Sequence, residues 1–179
     1  MAQGTFQANL QPTGAPFDAA QSTIELRTTD VSRFHDITDA VNEFVVGCGI
    51  QTGILVAHSM HTTAGLLVNE CETGFKADLA EVADRLVPSA VTNDVSYAHD
   101  DFSIRWENIC PEDLEAPNGH SHIQHAIFGT PSVTLIVQDR ALALGRWQRL
   151  FLLEFDRPRD RRVALSAFGI KAPENGLAA

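Results

Sequence analysis

The chain has 179 residues, of which 44% are hydrophobic, and this is enough material for one domain with its own core. Its 13 lysines and arginines against 23 aspartates and glutamates give a net charge of −10, which argues against a nucleic-acid or anionic-membrane surface. The three cysteines, Cys48, Cys71 and Cys110, form no Cys-x-x-Cys pair, so neither a thiolate zinc site nor a disulfide framework is predicted. No apolar run is long enough to span a bilayer and no secretory segment is recognised, so the expected location is cytoplasmic.

The first part of the chain is predicted to form an arm, a strand, a helix and a second strand. Residues 1–20 have no periodicity and predict a flexible N-terminal arm, whereas residues 21–27 alternate as a half-buried strand does. Asp36 offers an N-cap for a helix that ends near Gly49. The short apolar run over residues 53–60 predicts a buried strand.

A longer helix is predicted over about residues 74–87. Its apolar residues recur at steps of four, three and four, which indicates that one face of the helix turns towards the core. Charged residues occupy the other faces, and Pro88 follows the helix. The apolar stripe consists of Phe75, Leu79, Val82 and Leu86.

The second part of the chain is irregular at first and then rich in strands. Residues 93–119 show no sustained period, which inside a compact domain is typical of a functional loop, a lid or a mobile segment. Residues 132–137, 147–155 and 161–168 have the composition of strands, and the connections between them suit hairpins.

These elements predict an α+β fold with a mostly antiparallel, β-sandwich-like sheet and two main helices. The domain is expected to cover residues 21–170, with residues 171–179 as a C-terminal tail. Trp147 is expected to be a buried structural residue, so that Trp147→Ala would cost about 3–5 kcal/mol.

Basic residues are concentrated near the end of the domain. Seven arginines lie between Arg140 and Arg162, against the three acidic residues Glu154, Asp156 and Asp160. Such a strip could meet a phosphate or an acidic neighbour. The preferred interpretation is a solvated strand face or an ion-paired surface between subunits.

Polar residues gather where the strand over residues 53–60 ends. His58 and His61 are three positions apart, so on a continuing strand they would face opposite sides, and only one is expected in a pocket. Two threonines follow directly, and Asn69 and Glu70 come a short step later. A single histidine here would more often be structural, but this combination indicates a polar pocket at the strand end.

His99 stands beside two acidic residues in the stretch YAHDD. Asp100 or Asp101 could orient the imidazole or share a metal ion with it. A charged, solvated exit from a helix is equally consistent with this spacing.

Three histidines fall within residues 118–125, which read NGHSHIQH. In an extended segment His120 and His122 would share a face and could bind one zinc or iron ion. In a helix His122 and His125 would be the neighbours instead. The spacing leaves both possibilities open, and the chain contains no HExxH motif, Cys/His finger, Walker loop or GxGxxG motif.

Four stretches of the chain resemble the YjbQ family, whose members are described as secondary thiamine-phosphate synthase enzymes. The resemblance covers roughly residues 24–170, and its most specific part is Gly-x-Trp-Gln followed by apolar residues and Glu-Phe-Asp-x-Pro-Arg. An arginine before the tryptophan and a long segment between His99 and His122 resemble one branch of that family. The stretches are HTTAGLLVNE (61–70), YAHDD (97–101), NGHSHIQHAIFGTPSVTL (118–135) and LGRWQRLFLLEFDRPRDRRV (144–163).

The resemblance implies a compact α+β sandwich that assembles as a homotrimer, with polar residues gathered at or near the subunit boundary. The polar residues that recur in the family correspond to positions in the polar stretches described above, around His61, His99 and residues 118–125. The expected catalytic residues are His61, Glu70, His99 and His122, and the expected substrate-binding residues are Thr62, Thr63, Asn69, Asn118 and Arg146.

Three functions are weighed on this basis. The implied activity is thiamine-phosphate synthase, in which an aminopyrimidine diphosphate joins a thiazole phosphate and cationic groups or Mg²⁺ stabilise the departing pyrophosphate. A metal-dependent hydrolase or lyase would instead bind a divalent ion, zinc rather than magnesium, through its histidines. A non-catalytic trimeric protein would use the same histidines to close a ligand pocket. The expected metal ligands are His61, His99 and His122, with His120 as a second-rank ligand.

Overall fold

The computed structural model describes residues 17–30, 32–109 and 116–171. The described residues form eight strands, three α-helices and one 3₁₀ turn. The strands are β1 (Phe17–Arg27), β2 (Phe34–Asp36), β3 (Ile50–Ser59), β4 (Ala64–Glu70), β5 (Ser132–Gln138), β6 (Ala141–Leu142), β7 (Gln148–Glu154) and β8 (Asp160–Lys171). The helices are α1 (Thr38–Cys48), α2 (Thr73–Leu86) and α3 (Gly119–Phe128), and the 3₁₀ turn is Ala98–Asp100.

The strands form two antiparallel sheets. The five-stranded sheet has the order β1-β8-β3-β5-β6, and the three-stranded sheet has the order β2-β7-β4. β1 pairs with β8 from Phe17 opposite Ile170 to Arg27 opposite Asp160. The predicted α+β fold with a mostly antiparallel sheet is confirmed, and the chain adds α3, β2, β4 and β6 to the predicted elements.

Strand β7 lies between two packed layers. Its residues alternate between two hydrophobic clusters, because successive side chains of a strand point to opposite faces. Leu150 and Leu152 join the large cluster between the sheets, whereas Phe151 and Leu153 join a smaller cluster on the other side. This explains why all residues from Leu150 to Phe155 are buried.

The predicted hairpins between the C-terminal strands are wrong. β5 pairs with β3 and, through a turn at Asp139 and Arg140, with the short strand β6. β7 belongs to the other sheet, and β8 returns to the five-stranded sheet between β1 and β3. Composition predicts that a segment is a strand but not which strand it pairs with, because the partners lie far apart in sequence.

Helix α2 lies where it was predicted, but the second half of its apolar stripe is exposed. Glu72 caps its first turn by accepting two backbone N–H groups, each at 2.7 Å. Val82 is 44% and Leu86 is 65% exposed, and the buried residue of the helix is Ala83. The prediction of a core-facing stripe is therefore wrong for the second half of α2.

Trp147 is not buried, which corrects the expectation from the sequence. Its side chain is 65% exposed, and the Arg146 guanidinium lies 4.5 Å from the centroid of its ring. Trp147 precedes β7, and the buried part of that strand begins only at Leu150.

The ends of the domain differ slightly from the prediction. Residues 17–20, assigned to the arm, are part of β1, and Lys171, assigned to the tail, is the last residue of β8. The rest of the arm and of the tail lies outside the described residues. Cys48 and Cys71 have free thiols, and Cys110 also lies outside the described residues. None of the helices described is long and apolar enough to cross a membrane.

Candidate functional site

Two connections between the sheets lie side by side at one end of the fold. Residues 60–63 lead from β3 to β4, and residues 155–159 lead from β7 to β8. β3 pairs with β8 and β4 pairs with β7, so antiparallel pairing brings the two connections together. Side chains from both connections therefore meet at this end of the sheets.

Helix α3 and the 3₁₀ turn close another side of the same end. Ser121 Oγ donates to the Phe155 carbonyl over 2.8 Å, which ties α3 to the β7–β8 connection. The 3₁₀ turn packs against the first residue of α3, where a Cβ atom on Gly119 would lie only 2.6 Å from the Cβ atom of Tyr97. Position 119 must therefore be glycine for the 3₁₀ turn and α3 to pack this closely.

These elements enclose a cleft of about 660 Å³, a volume in the range of small-molecule pockets. The cleft contains residues from four separate parts of the chain. Six of the residues proposed from the sequence line it, namely His61, Thr62, Thr63, His99, Asn118 and His122. The other lining residues are Met60, Arg105, Glu107, Asn108, Asp156, Arg159 and Arg161.

His61 is a neutral hydrogen-bond donor in this cleft. The backbone N–H of Arg162 donates to His61 Nε2 over 2.7 Å. A backbone N–H cannot accept a hydrogen bond, so Nε2 carries the lone pair and the ring proton lies on Nδ1. Burial and the nearby Arg161 guanidinium lower the pKa of His61, which keeps the ring neutral near pH 7. By contrast, His58 lies outside the cleft and bonds Ser132 Oγ at 2.6 Å.

His99 is held through both of its ring nitrogens. Arg105 Nη1 donates to His99 Nε2 over 2.8 Å, and Asp100 Oδ1 lies 3.2 Å from His99 Nδ1. A guanidinium can only donate, so the ring proton lies on Nδ1 and points to the carboxylate. Of the two neighbouring acids it is Asp100 that orients His99, since Asp101 accepts from Ser103 instead.

His122 differs from the other two because its ring makes no hydrogen bond to any of the described residues. The ring lies against that of His99, with the centroids 4.4 Å apart and the planes inclined by 38°. Burial and the neighbouring His99 lower the pKa of His122, while Asp156 opposes this shift. His122 is therefore neutral near pH 7 and has both a donor and an acceptor nitrogen available.

Asp156 is an ionised carboxylate beside these histidines. Its Oδ2 accepts from Asn118 Nδ2 over 3.1 Å and from Arg159 Nε over 2.8 Å. Burial would raise the pKa of Asp156, but the backbone N–H of Arg157 together with Asn118 and Arg159 outweighs it and holds the pKa below its usual range. Asp156 thus fixes one side chain from α3 and one from the β7–β8 connection.

The arginine-rich segment is not one solvated face, which corrects the first half of the interpretation from the sequence. An ion-paired surface between subunits stays a prediction. Arg159 and Arg161 line the cleft and pair with Asp156 and Glu154, respectively. Arg149 lies away from the cleft and pairs with Asp36 over 2.7 Å. The arginines of the strip therefore do not act as one surface, and only Arg159 and Arg161 belong to the cleft.

Three residues proposed from the sequence lie at the opposite end of the three-stranded sheet. β4 starts beside the cleft at Ala64 and carries Glu70 about 20 Å away over six residues. Glu70 and Arg146 line a separate cleft of about 430 Å³ together with Trp147. The Asn69 side chain accepts the backbone N–H of Glu70 over 2.9 Å. The structure does not bring Asn69, Glu70 or Arg146 to the three histidines.

The segment NGHSHIQH is helical, so the alternative in which His120 and His122 share an extended face is wrong. His122 lines the cleft, whereas His120 is buried and lines a different cleft of about 560 Å³. His125 Nδ1 donates to the Thr62 carbonyl over 2.8 Å. Its ring lies so close to Gly65 that a Cβ atom there would approach it to 2.6 Å. His125 therefore supports the loop that carries His61.

The described residues do not present a ready set of metal ligands in the cleft. The described residues contain no group of three or more His, Cys, Asp or Glu side chains that could hold one. His61 Nε2 accepts a backbone N–H, and both nitrogens of His99 bond to protein groups. The structure therefore does not bring the predicted metal ligands together as one set with free nitrogens. These ligands were His61, His99 and His122, with His120 as a second-rank ligand.

Seven cleft residues were not predicted from the sequence, and those with most bearing on function are Arg105, Asp156, Arg159 and Arg161. The sequence could have indicated Asp156, Arg159 and Arg161. Residues 156–161 directly follow a buried strand, as residues 60–63 do, and polar residues at strand ends often form sites. Arg105 lies in an irregular segment, and no periodicity distinguishes it from its neighbours.

The arrangement combines two chemical abilities. Guanidinium groups recognise the oxygens of phosphate and carboxylate and stabilise negative charge that develops on a departing oxygen. A neutral histidine with an available lone pair can accept a proton or a hydrogen bond from a bound molecule. The cleft thus has the parts for binding a small anion and for proton transfer at His122.

Comparison with known proteins finds one family. The family model described as UPF0047 protein YjbQ-like matches residues 22–170. A UPF0047 protein of Archaeoglobus fulgidus is 33% identical over 144 residues, which cover 80% of this chain and 98% of that protein. The UPF0047 protein YugU of Bacillus subtilis is 29% identical over 148 residues, which cover 82% of this chain and 98% of that protein.

Solved structures show the same architecture. A YbjQ-like protein of unknown function from Sulfolobus solfataricus superposes with a TM-score of 0.71 at 26% identity, covering 86% of this chain and 99% of that chain. An uncharacterised conserved protein from Clostridium acetobutylicum superposes with a TM-score of 0.65 at 28% identity, covering 82% and 98% of the two chains. Both matches extend over nearly the whole of the solved chains.

Proposed function

Because this chain belongs to the UPF0047 family of YjbQ-like proteins, we propose that its cleft binds a small phosphorylated molecule and that His122 exchanges a proton with that molecule. One observation carries the proposal. Three histidines and three arginines, from four separate parts of the chain, line one cleft. Titratable groups gathered in this way are more typical of a reaction site than of a structural cluster.

The arginines would bind the anionic part of the ligand. Arg161 is held by Glu154 and Arg159 by Asp156, so neither guanidinium has to be ordered when a ligand arrives. Arg105 donates a hydrogen bond to the His99 Nε2 lone pair over 2.8 Å, which also orders its guanidinium. Pre-ordered guanidinium groups lower the entropic cost of binding phosphate.

The histidines would contribute differently, because their hydrogen bonds differ. His61 has a proton on Nδ1 to donate, and His99 has both nitrogens engaged. His122 keeps a lone pair and a proton, and its lowered pKa makes it a base at neutral pH. We therefore assign the proton-transfer step to His122 and ligand binding to His61.

The specific reaction that we propose is thiamine-phosphate synthesis. The thiazole nitrogen would form a bond to the methylene carbon of the aminopyrimidine, and the carbon–oxygen bond to the diphosphate would break with its electron pair on the departing oxygen. The arginines would stabilise the charge on the diphosphate. His122 would accept a proton from the exocyclic amino group of the pyrimidine as the diphosphate departs and would return it when the carbon–nitrogen bond forms, so that no net proton is lost.

The test is an assay of product formation by protein purified without a histidine tag. The aminopyrimidine diphosphate and the thiazole phosphate are supplied with Mg²⁺, and thiamine phosphate is measured by chromatography. His122→Gln is expected to reduce kcat about 100-fold or more. His58→Gln is the matched control, because His58 is exposed and bonds Ser132 outside the cleft, and it should leave kcat unchanged.

Other outcomes would change the assignment. Binding of the thiazole phosphate without turnover would make the chain a ligand-binding protein, the non-catalytic function considered above. No binding of either substrate would overturn the proposal of a phosphorylated ligand.

We also propose that copies of the chain assemble as a homotrimer through the outer face of the five-stranded sheet. An apolar row crosses this face, since Ile54 lies opposite Phe168 on one side and Ile136 on the other. Ile54 is 37% and Ile136 is 56% exposed, and contiguous apolar surface of this kind favours association. Sedimentation should give three times the mass of the chain, and Ile136→Glu should reduce it to a monomer. A monomeric wild-type protein would refute this proposal.

A further inference from the structure

The side chain of Asp100 connects the 3₁₀ turn to the first turn of α3. Its Oδ1 accepts the backbone N–H groups of Asn118 and Gly119, each at 2.9 Å. The carboxylate therefore satisfies two of the unpaired donors at the start of the helix and lies at the positive end of the helix dipole. The carboxylate is nearly buried, with 10% of the side chain exposed.

The same oxygen is the end of a chain of hydrogen bonds that runs in one direction. Arg105 donates to His99 Nε2 at 2.8 Å, and His99 Nδ1 donates to Asp100 Oδ1 at 3.2 Å. If the ring proton lay on Nε2 instead, two donors would face each other at the Arg105 contact, and Nδ1 would turn a lone pair towards the carboxylate. The Arg105 donor and the Asp100 carboxylate thus both select the tautomer of His99 that is protonated on Nδ1.

We propose that Asp100 is a positioning residue that fixes the tautomer of His99 and, through it, holds the Arg105 guanidinium in the cleft for an anionic oxygen of the ligand. Asp100 does not line the cleft, whereas His99 and Arg105 do. Its effect on a ligand can therefore pass through those two side chains or through Asn118, which lines the cleft and donates its backbone N–H to Asp100. The route through His99 and Arg105 is the one that we propose. This inference rests on the proposed function in one respect, namely that the ligand is phosphorylated.

A carboxylate suits this position because it has no N–H group of its own. Asp100 Oδ2 is buried and makes no hydrogen bond among the described residues. An asparagine would keep an oxygen for the helix but would bury an amide NH₂ group where no acceptor is described, and it would remove the negative charge that favours the Nδ1 proton. Asp100→Asn therefore weakens the hydrogen bonds from Arg105 through His99 to residue 100, while the side chain at position 100 hardly changes in size.

The first test measures the tautomer directly and needs no ligand. Long-range ¹H–¹⁵N spectra of the histidine side chains, assigned with His99→Gln, are expected to show a protonated Nδ1 and an unprotonated Nε2 for His99. A protonated Nε2 in the neutral wild-type ring would overturn the inference, whatever the chain binds.

The second test compares binding of the thiazole phosphate with binding of the thiazole alcohol that lacks the phosphate. Asp100→Asn is expected to weaken the phosphate about tenfold, the value of one charge-assisted hydrogen bond, and to leave the alcohol unchanged. Asp101→Asn is the matched control, because Asp101 bonds only Ser103 among the described hydrogen-bond partners of its carboxylate, and it should change neither affinity.

A double-mutant cycle separates positioning from a general structural effect. In an Arg105→Gln background, Asp100→Asn should cause no further loss of phosphate affinity. A further loss of similar size, or an equal loss for the alcohol, would overturn the inference. If Asp100→Asn melts below the assay temperature, His99→Leu leaves the contacts of Asp100 to α3 in place and should show the same selective loss.

The two proposals fail in different ways. A wild-type chain that binds neither thiazole compound contradicts the proposed function, while the spectra still decide the tautomer of His99. A chain that binds the phosphate with His99 protonated on Nε2 retains the proposed function and loses the role of Asp100.

Discussion

The Glu154 carboxylate and the Arg161 guanidinium form two hydrogen bonds, of 2.5 and 2.6 Å, in the interior next to the cleft. Their side chains are only 3% and 4% exposed. Thr28 Oγ1 donates to Glu154 over 2.8 Å, and Arg161 donates to Thr63 Oγ1 over 3.0 Å. The pair thus joins the β7–β8 segment to the end of β1 and to the loop that carries His61.

Removing one charge of this pair is expected to destabilise the fold strongly. Glu154→Gln leaves the buried Arg161 guanidinium without its counter-ion, and such a change costs about 3–5 kcal/mol. The free energy of unfolding in urea is the measurement. Asp160→Asn is the control, because that carboxylate is 88% exposed beside Arg27, and it should have a much smaller effect. Equal losses in the two variants would show that the buried pair has no special role.

Trp147→Ala is expected to change the stability of the monomeric domain little. The side chain is 65% exposed and its described ring contact is with Arg146, so the expected loss is about 1 kcal/mol or less. Phe151→Ala is the comparison, because Phe151 is 1% exposed and its truncation should cost about 3–5 kcal/mol. A loss at Trp147 as large as that at Phe151 would mean that another subunit or segment buries the tryptophan.

Gly119→Ala is expected to move the 3₁₀ turn away from α3. The new Cβ atom would lie 2.6 Å from the Cβ atom of Tyr97 and 3.1 Å from that of His99, so the turn must shift and His99 with it. Ligand affinity and the melting temperature should both fall. Gly47→Ala in α1 is the matched control, since nothing lies within 4 Å of its new Cβ atom, and it should stabilise the helix by about 0.5–1 kcal/mol.

The stability of the fold is expected to decrease as the pH falls below about 6.5, the ordinary pKa of histidine. Burial is the main cause that lowers the pKa values of His35, His61, His120 and His122 in the folded chain. Below the unfolded-state pKa the unfolded chain therefore binds more protons, and stability rises with pH across this window. Urea midpoints at pH 7.5 and 5.5 test the sign. A midpoint that is higher at pH 5.5 would contradict it.

Turnover or ligand binding that depends on neutral His122 should be constant above about pH 7 and decline on the acid side, with a midpoint below the ordinary pKa of histidine. The lowered pKa of His122 sets this direction. The acid limb should disappear in His122→Gln and remain in His58→Gln. A decline that persists unchanged without His122 would assign the titration to another group.

The composition and the local pattern of the chain predicted much of the fold and part of the site. Apolar spacing located α1, α2, β3, β5, β7 and β8, because burial of one face leaves a period in the sequence. Polar residues at strand ends and the family signature indicated His61, His99, Asn118 and His122, which the structure brings to one cleft. These features depend on residues that are close in sequence or on motifs that can be recognised directly in the sequence.

What the sequence could not decide was which segments meet. Glu70 and Arg146 were grouped with the histidines, but the length of β4 and the pairing of Glu70 with Gln148 place them at the other end of the sheet. The segment NGHSHIQH had to be helical before His122 and His120 could be separated.

By itself, then, the sequence determined seven of the eleven strands and α-helices, the fold class and the polar stretches from which a site could be built. Only the tertiary structure decided that Arg105, Asp156, Arg159 and Arg161 complete that site. It also gave His61 and His99 different hydrogen-bond partners and left the His122 ring without one among the described residues. The physical reason is that antiparallel pairing between distant strands, and the direction of each hydrogen bond, depend on neighbours in space that no local period records.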